Sequence, residues 1–313
     1  MTSDSPAVLF PVTVVGGTNM DISATAHSAV TAGDSTPGAI RYSPGGVGRN
    51  IAENLARLGV GVQLVTVVGD DAFGQQLTAM TAATGVGVDA MMTAQGQRTA
   101  TYLSMHQPDG EVAMAVNDME ILETLTPEWC ARVPVLQEPQ PWLLVDCNVP
   151  QATLSHLLGL GRTTVVDGVS VAKCRRLTGL LPGIYLLKLN HLEAAALSGL
   201  VIASLEDCAA AVEYFLASGV QQVMVSFGAS GLAWGQAGAG AKFRRARKVP
   251  VLNSTGAGDA LLAGVVAALQ KDPAFDSAIE YGVACAEITL SSTFANSPDL
   301  TDSTVRHHMS LNA

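Results

Sequence analysis

The chain has 313 residues, 48% hydrophobic and only 14% charged, with a formal net charge of −10. That supports one large core with a smaller appendage, and the sparse, acidic charge excludes a nucleic-acid binder. No run of ~18 apolar residues marks a membrane span and no basic-then-apolar leader opens the chain, so a soluble, cytoplasmic protein is expected, with no membrane partner. Five cysteines, at 130, 147, 174, 208 and 285, form no CxxC pair and read as buried free thiols of a reducing compartment.

Residues 12–16 read as a buried strand, and Gly16-Gly17-Thr18-Asn19-Met20-Asp21 follows its end. Residues 21–43 are rich in Ala, Ser, Thr and Gly and carry no helical pattern. Ser43-Pro44-Gly45-Gly46-Val47-Gly48-Arg49-Asn50 then makes a glycine turn. Ile51, Leu55 and Leu58 continue from it at helical spacing, and Gly59 is the stop. A strand is expected over 62–68 and a helix over 72–84. Over 98–118, Thr99, Thr101 and Leu103, then Val112, Met114 and Val116, alternate around Pro108-Asp109-Gly110, which is a β-hairpin pattern. Strands follow at 142–146, 163–167, 184–189 and 223–227, and helices at 151–158, 191–197, 205–218 and 257–269. Alternation of this kind predicts an α/β fold, a mostly parallel sheet with helices on both faces. Ligands of such sheets bind beyond the carboxyl ends of the strands. Gly16-Gly17, Asp146-Cys147-Asn148, Asp167, Lys188-Leu189-Asn190 and Gly228 all stand there. The cationic run 242–248 suits a surface strand or a nucleotide-side position, and His307-His308 a solvated tail.

The densest chemistry lies in Asn253-Ser254-Thr255-Gly256-Ala257-Gly258-Asp259-Ala260. Two glycines let the backbone approach a ligand. The first-turn N–H groups of the following helix and its dipole favour an anion there. Asp259 stands beside this cradle as a proton acceptor, and an anion hole plus a base is what phosphoryl transfer to an alcohol requires. A free aspartate, with a pKa of ~3.9, is ionised at neutral pH, so its expected work is to orient the hydroxyl. A Walker Lys-Ser/Thr is absent after the glycines, and the first strand turn lacks the Gly-x-Gly-x-x-Gly of a dinucleotide-binding dehydrogenase.

Gly45-Gly46…Asn50 and the stretch from Asn253 to Val266 resemble, in this order, the N- and C-terminal signatures of the PfkB, or ribokinase-like, sugar and nucleoside kinases. The likeness covers nearly the whole chain. It is closer still to the branch acting on pseudouridine. The segments that carry it are Asp34-Ser35-Thr36-Pro37-Gly38, Pro44 through Ala52, Asn117-Asp118-Met119, Asp146-Cys147-Asn148, Leu187 through Glu193, and Asn296-Ser297-Pro298-Asp299-Leu300. The resemblance implies a three-layer sandwich, one kinase domain over 1–313, and a small β-lid formed by 21–43 and 98–118. In relatives this lid is also the homodimer contact. It implies transfer of a phosphoryl group from ATP to the 5′-hydroxyl of pseudouridine, with ribose or a purine nucleoside as the alternative acceptor. A sugar-binding regulator without activity is disfavoured by the intact Asp259, Asn190 and Glu193.

Residue by residue, the resemblance implies that Asp259 is the base and that Gly256, Ala257 and Gly258 form the anion hole. Asp21, Gly45, Gly46 and Asn50 would hold the ribose, although Asn50 alone also suits a helix cap. Thr18, Tyr102, Asn117 and Met119 would meet the nucleobase. Asn190, Ser226, Gly228, Gly231, Thr255, Gly256 and Gly258 would line the nucleotide. Asn190 and Glu193 match an Asn-x-x-Glu motif that positions Mg²⁺, largely through water, while the same pair also suits an N-cap and a first-turn carboxylate. Leu189 and Gly168 stand where relatives often carry Pro. Asn253 stands where many have an Asp that serves a monovalent cation, which puts K⁺ dependence in doubt.

Overall fold

The computed structural model describes residues 11–31 and 33–311. Ala32, within the first expected lid segment, and both ends of the expected 1–313 domain lie outside the described residues. In chain order the strands are β1 (Val12–Val15), β2 (Asn19–Ala26), β3 (Gly38–Gly45), β4 (Val62–Gly69), β5 (Met91–Ala94), β6 (Thr101–His106), β7 (Val112–Asp118), β8 (Trp142–Asp146), β9 (Thr163–Asp167), β10 (Leu186–Asn190), β11 (Gln222–Ser226), β12 (Gly231–Gln236) and β13 (Gly240–Arg245).

Nine of them form one sheet in the order β13-β12-β11-β10-β9-β8-β1-β4-β5. The six apolar runs expected as strands sit together and pair in parallel. Side chains alternate across a strand, and each run feeds two cores. Val12, Val14, Leu144, Leu186 and Met224 pack with Ile51, Leu55, Leu262, Val265, Ile279 and Val305. Val15, Leu143, Val145, Leu187 and Val223 pack with Leu154, Leu157, Val212 and Phe215. The sheet is therefore covered on one face by helices Val47–Arg57, Ala257–Leu269, Phe275–Leu290 and Asp302–Leu311, and on the other by Gln151–Leu158 and Leu205–Ala217. Three layers result, as expected.

β12 and β13 add an antiparallel edge. β12, β5 and the helices Phe275–Leu290 and Asp302–Leu311 have no counterpart among the expected elements, and β13 overlaps the surface strand suggested for the cationic run. β10 begins at Leu186, two residues later than expected, and takes in Asn190. The cationic run lies on and after β13, where Lys242 pairs with Asp276 at 2.6 Å, Arg244 with Glu280, and Arg247 with Glu287 at 3.0 Å.

The segments that break the alternation form a second sheet, β3-β2-β6-β7. β6 and β7 are the expected hairpin, turned where the Gly110 N–H meets the Gln107 carbonyl at 2.9 Å. β2 pairs parallel with β6 and antiparallel with β3. Among the described residues no helix is long and apolar enough to cross a membrane.

The tightest helix contact in the core joins Ala257–Leu269 to Phe275–Leu290. A Cβ on Gly264 would stand 2.6 Å from Cys285 Sγ and 2.8 Å from Gly282 Cα. Overpacking at such a site costs about 1–3 kcal/mol. Gly264→Val is expected to lower the unfolding free energy by that amount in a denaturant titration. An unchanged midpoint would show that the two helices do not pack this closely.

Candidate active site

The helix Ala257–Leu269 is apolar on all sides and nearly all buried, so its start is fixed by packing. Gly256 precedes it with φ 81°, and a Cβ there would lie 1.9 Å from the Ala295 carbonyl oxygen. Only glycine fits. The first-turn N–H groups, including those of Ala257 and Gly258, have no partner within the helix. Asp259 lies in this turn, 8% exposed, and its Oδ2 accepts from Asn50 Nδ2 at 2.9 Å. Burial pushes its carboxyl up to about 7, with the nearby Asp167 adding to the rise while Lys188 and Asn50 oppose it. Asp259 is thus not the ordinary aspartate expected from the sequence: near neutrality it is poised between its two protonation states.

Below it lies a floor of charges from the strand ends. Lys188 on β10 faces Asp167 on β9 in register and pairs with it at 2.9 Å, both side chains buried. Burial works against the lysine's charge, but Asp167, Glu193 and Asp259 outweigh it and hold the ammonium charged. A Cβ on Gly258 would lie 3.0 Å from Lys188 Nζ, so the ammonium sits against the cradle. Asp146 accepts the N–H groups of Gly17 at 2.8 Å and Gly48 at 2.7 Å, clamping the turn after β1 to the start of helix Val47–Arg57. Sequence reasoning placed Lys188, Asp167 and Asp146 at strand ends without assigning them to the site. A lysine within the apolar run Leu186–Asn190 was the signal, since a buried lysine requires an acid partner.

The N-cap of helix Val47–Arg57 is Gly46, at φ 99°. Asn50 is therefore not the cap; it lies a turn inside the helix, with its N–H on the Gly46 carbonyl at 2.8 Å and its side chain on Asp259. A Cβ on Gly46 would meet the Gly17 carbonyl oxygen at 2.4 Å, and one on Gly45 the Asp21 carboxylate at 2.3 Å. Both glycines make room for protein groups at these positions. Asp21 Oδ1 accepts from Asn19 Nδ2 at 2.6 Å, and burial raises its pKa. Ser43, Asp21, Tyr102 and Asn117 form one row across the four strands of the small sheet. Thr18 is fully buried, and its hydroxyl has no partner among the described residues. Met119 lies off the sheet, partly buried against the second core. It still lines, with Asn117, Glu123 and Lys173, a cleft of about 410 Å³. Lys173 was not among the expected site residues, and no motif marked it.

On the other side of Asp259 opens a cleft of about 1060 Å³, lined by Ser226, Gly228, Gly231, Arg244, Ala257 and Gly258 among others. Asn190 is the register partner of Ser226 at the ends of β10 and β11. Thr255 is exposed, its N–H on Asn253 Oδ1 at 2.9 Å. Asn253 Nδ2 donates to the Thr293 carbonyl at 3.4 Å. Asn190 and Glu193 form a capping box: Asn190 Oδ1 accepts from the Glu193 N–H at 2.9 Å, and Glu193 Oε2 from the Asn190 N–H at 2.9 Å. Glu193 Oε1 takes the Asn190 amide at 2.5 Å. With both its oxygens bonded, Glu193 fits a hydrated cation held through water rather than direct ligation. Among the described residues no cluster of three or more His, Cys, Asp or Glu is placed to hold a metal.

Known proteins resemble this chain over most of its length. The family model described as pfkB family carbohydrate kinase matches residues 11–302, and the chain belongs to that family. It is 34% identical over 291 residues to pseudouridine kinase of Escherichia coli strain K12, covering 92% of this chain and 93% of that protein. Ribokinase of Haemophilus influenzae is 26% identical, covering 91% and 94%. Among solved structures, a carbohydrate kinase from Agrobacterium tumefaciens superposes with a TM-score of 0.85 at 28% identity, covering 96% of this chain and 97% of that one. The protein is a phosphotransferase with an alcohol group as acceptor.

A carboxyl that must be ionised to accept a proton and titrates at about 7 sets the sign of the pH dependence. kcat/KM is expected to be flat above that value and to fall about tenfold per pH unit below it. Asp259→Asn is expected to lower kcat by about 10²–10⁴-fold while acceptor affinity stays within a few-fold. A flat profile down to pH 5, or near-native kcat in the variant, would remove Asp259 from the chemistry.

Proposed function

We propose that this chain transfers the γ-phosphoryl group of ATP to the 5′-hydroxyl of pseudouridine. The observation that carries the reading is Asp259 itself: it follows directly on the wall of the large cleft and bonds Asn50 on its other side. The nucleotide would occupy the large cleft, against Ser226, Gly228 and Gly231, with Thr255 and Gly256 at the turn into the helix. The nucleoside would lie between Asn50 and the row Asp21, Tyr102 and Asn117, with the small sheet as its lid. Asp259 Oδ1, the oxygen not engaged by Asn50, would accept the hydroxyl proton. The first-turn N–H groups of Ala257 and Gly258, with the helix dipole and Lys188 behind them, would stabilise the charge growing on the transferred group. Mg²⁺, bound with the nucleotide, supplies further charge neutralisation, and Asn190 with Glu193 would hold it through water. We assign K⁺ no role. A cytoplasmic reaction supplied with ATP is the setting this reading implies.

The likeness to pseudouridine kinase over nearly the full length of both chains supports this acceptor. Ribose and purine nucleosides are its competitors, because Asp21 and Asn50 suit any ribosyl group and the chain also resembles a ribokinase. The base must decide. Pseudouridine carries an N–H where uridine has a carbon, and a site built to pair with a donor rejects an analogue that lacks it. The unpartnered Thr18 hydroxyl and Asn117 are the candidate acceptors. A nucleoside panel with ATP and Mg²⁺, read by ADP release, is expected to give the highest kcat/KM for pseudouridine, and Asn117→Ala to narrow its margin over uridine. Preference for ribose or a purine nucleoside would reassign the acceptor and leave the chemistry at Asp259 untouched.

The row carrying Asp21 occupies one face of the small sheet. The opposite face presents Ile40, Tyr42, Leu103, Met114 and Val116, all exposed. We propose that two copies of this chain pair through that face, since a contiguous apolar patch on a monomer is costly. Val116→Lys is expected to shift the protein from dimer to monomer in analytical ultracentrifugation. A monomeric wild type would contradict the pairing.

A further inference from the structure

Two residues in the segments that carry the family resemblance have no part in the site as described so far: Arg49 and Asn296. The fold brings them together. Arg49 is the largest of the fully buried side chains, 2% exposed. Its Nη1 donates to Asn50 Oδ1 at 3.1 Å and to Asn296 Oδ1 at 3.3 Å, and its Nη2 pairs with Glu53. Asn296 Nδ2 donates to the Asn50 carbonyl at 2.8 Å and to Asn54 Oδ1 at 2.9 Å. Asn50 is thus gripped at its side chain and at its backbone by groups from both ends of the sequence.

A buried guanidinium carries a heavy desolvation cost, and an apolar side chain of similar volume would fill the space without it. Its geometry toward Asn50 gives it a use. An amide has a donor end and an acceptor end, while a guanidinium only donates. With Arg49 on Oδ1, the Asn50 NH₂ is turned to Asp259 Oδ2 at 2.9 Å. Rotating the amide by half a turn would set its oxygen against the carboxylate and its NH₂ against the guanidinium, and both contacts would be repulsive.

We propose that Arg49 and Asn296 are positioning residues for phosphoryl transfer. They lock the Asn50 amide so that its donor fixes Asp259 Oδ2 and leaves Oδ1 turned to the acceptor hydroxyl. The proposal rests on Asp259 as the base. Neither residue touches the substrate; both act through Asn50.

A double-mutant cycle separates this role from a merely structural one. In the otherwise wild-type enzyme, Arg49→Lys and Asn296→Ala are each expected to lower kcat about tenfold or more, the scale of one lost buried hydrogen bond, with the acceptor KM within a few-fold. In an Asn50→Ala background the same substitutions are expected to change kcat less than about twofold, because the group they act through is gone. Asn296→Ala removes no charge and supplies the test if Arg49→Lys fails to fold; thermal melts identify which variants are native. Equal losses in both backgrounds, or losses confined to KM, overturn the proposal. Asp259→Asn is measured alongside. An active Asp259→Asn overturns the base assignment and the proposal with it, whereas an inactive one with an additive cycle overturns the positioning role alone.

Discussion

One hydrogen bond, from Asn50 Nδ2 to Asp259 Oδ2, joins residues 209 positions apart and closes the site. Each end sits in the first turns of a helix whose start is set by a glycine in the left-handed region, Gly46 at φ 99° and Gly256 at φ 81°. Behind one end, Asp146 clamps the backbone at Gly17 and Gly48. Behind the other, the helix Ala257–Leu269 is wedged among core helices and cannot slide. The two helices are held by the main sheet, and the bond between them is the geometric product of the fold.

The electrostatics follow from the same placement. Asp146, Asp259 and Glu193 are carboxyls whose pKa values burial raises, and Lys188 opposes that rise at Asp259 and Glu193. Such clustering is unfavourable for folding and is the pattern of a functional site, where groups are tuned rather than satisfied. A base works best with a pKa near the operating pH. An exposed aspartate would be ionised at neutrality and too weak; Asp259 gains basicity from burial, and Lys188, with the helix N-terminus, keeps the ionised form within reach. The ammonium lies against Gly258, where the proposed transfer would accumulate negative charge, so one group would serve both needs.

Much of this was legible in the sequence. The six core strands are short apolar runs between helical patterns, and the helix over 257–269 was placed at its observed bounds. Asp259, Asn50 and Asp21 stood out because two glycine motifs resembling family signatures occur together and in order, a glycine turn alone being a common helix entry. What stayed hidden has physical reasons. Phe275–Leu290 packs several sides of its surface and carries Gly282, so its pattern is blurred. β12 carries Gly231 and Gly235 and shows no clear alternation, and of β13 only the cationic run suggested a surface strand, so their antiparallel pairing on the sheet edge stayed hidden. Arg49 carried no assigned role, because an arginine is usually exposed and its partner Asn296 arrives from the far end of the chain. Asn190 and Glu193 read as a cap and a cation site that can coexist, and the structure shows the cap. The pKa of Asp259 was misjudged because burial belongs to the fold and not to the residue.

By burying Asp259 against Asn50 and Lys188, the fold would make it a base tuned to neutrality. Direct titration of its carboxyl by ¹³C NMR, with the resonance assigned by its loss in Asp259→Asn, measures this without turnover. A midpoint at about 7 is the predicted result. A midpoint near the ordinary aspartate value of 3.8 would contradict it.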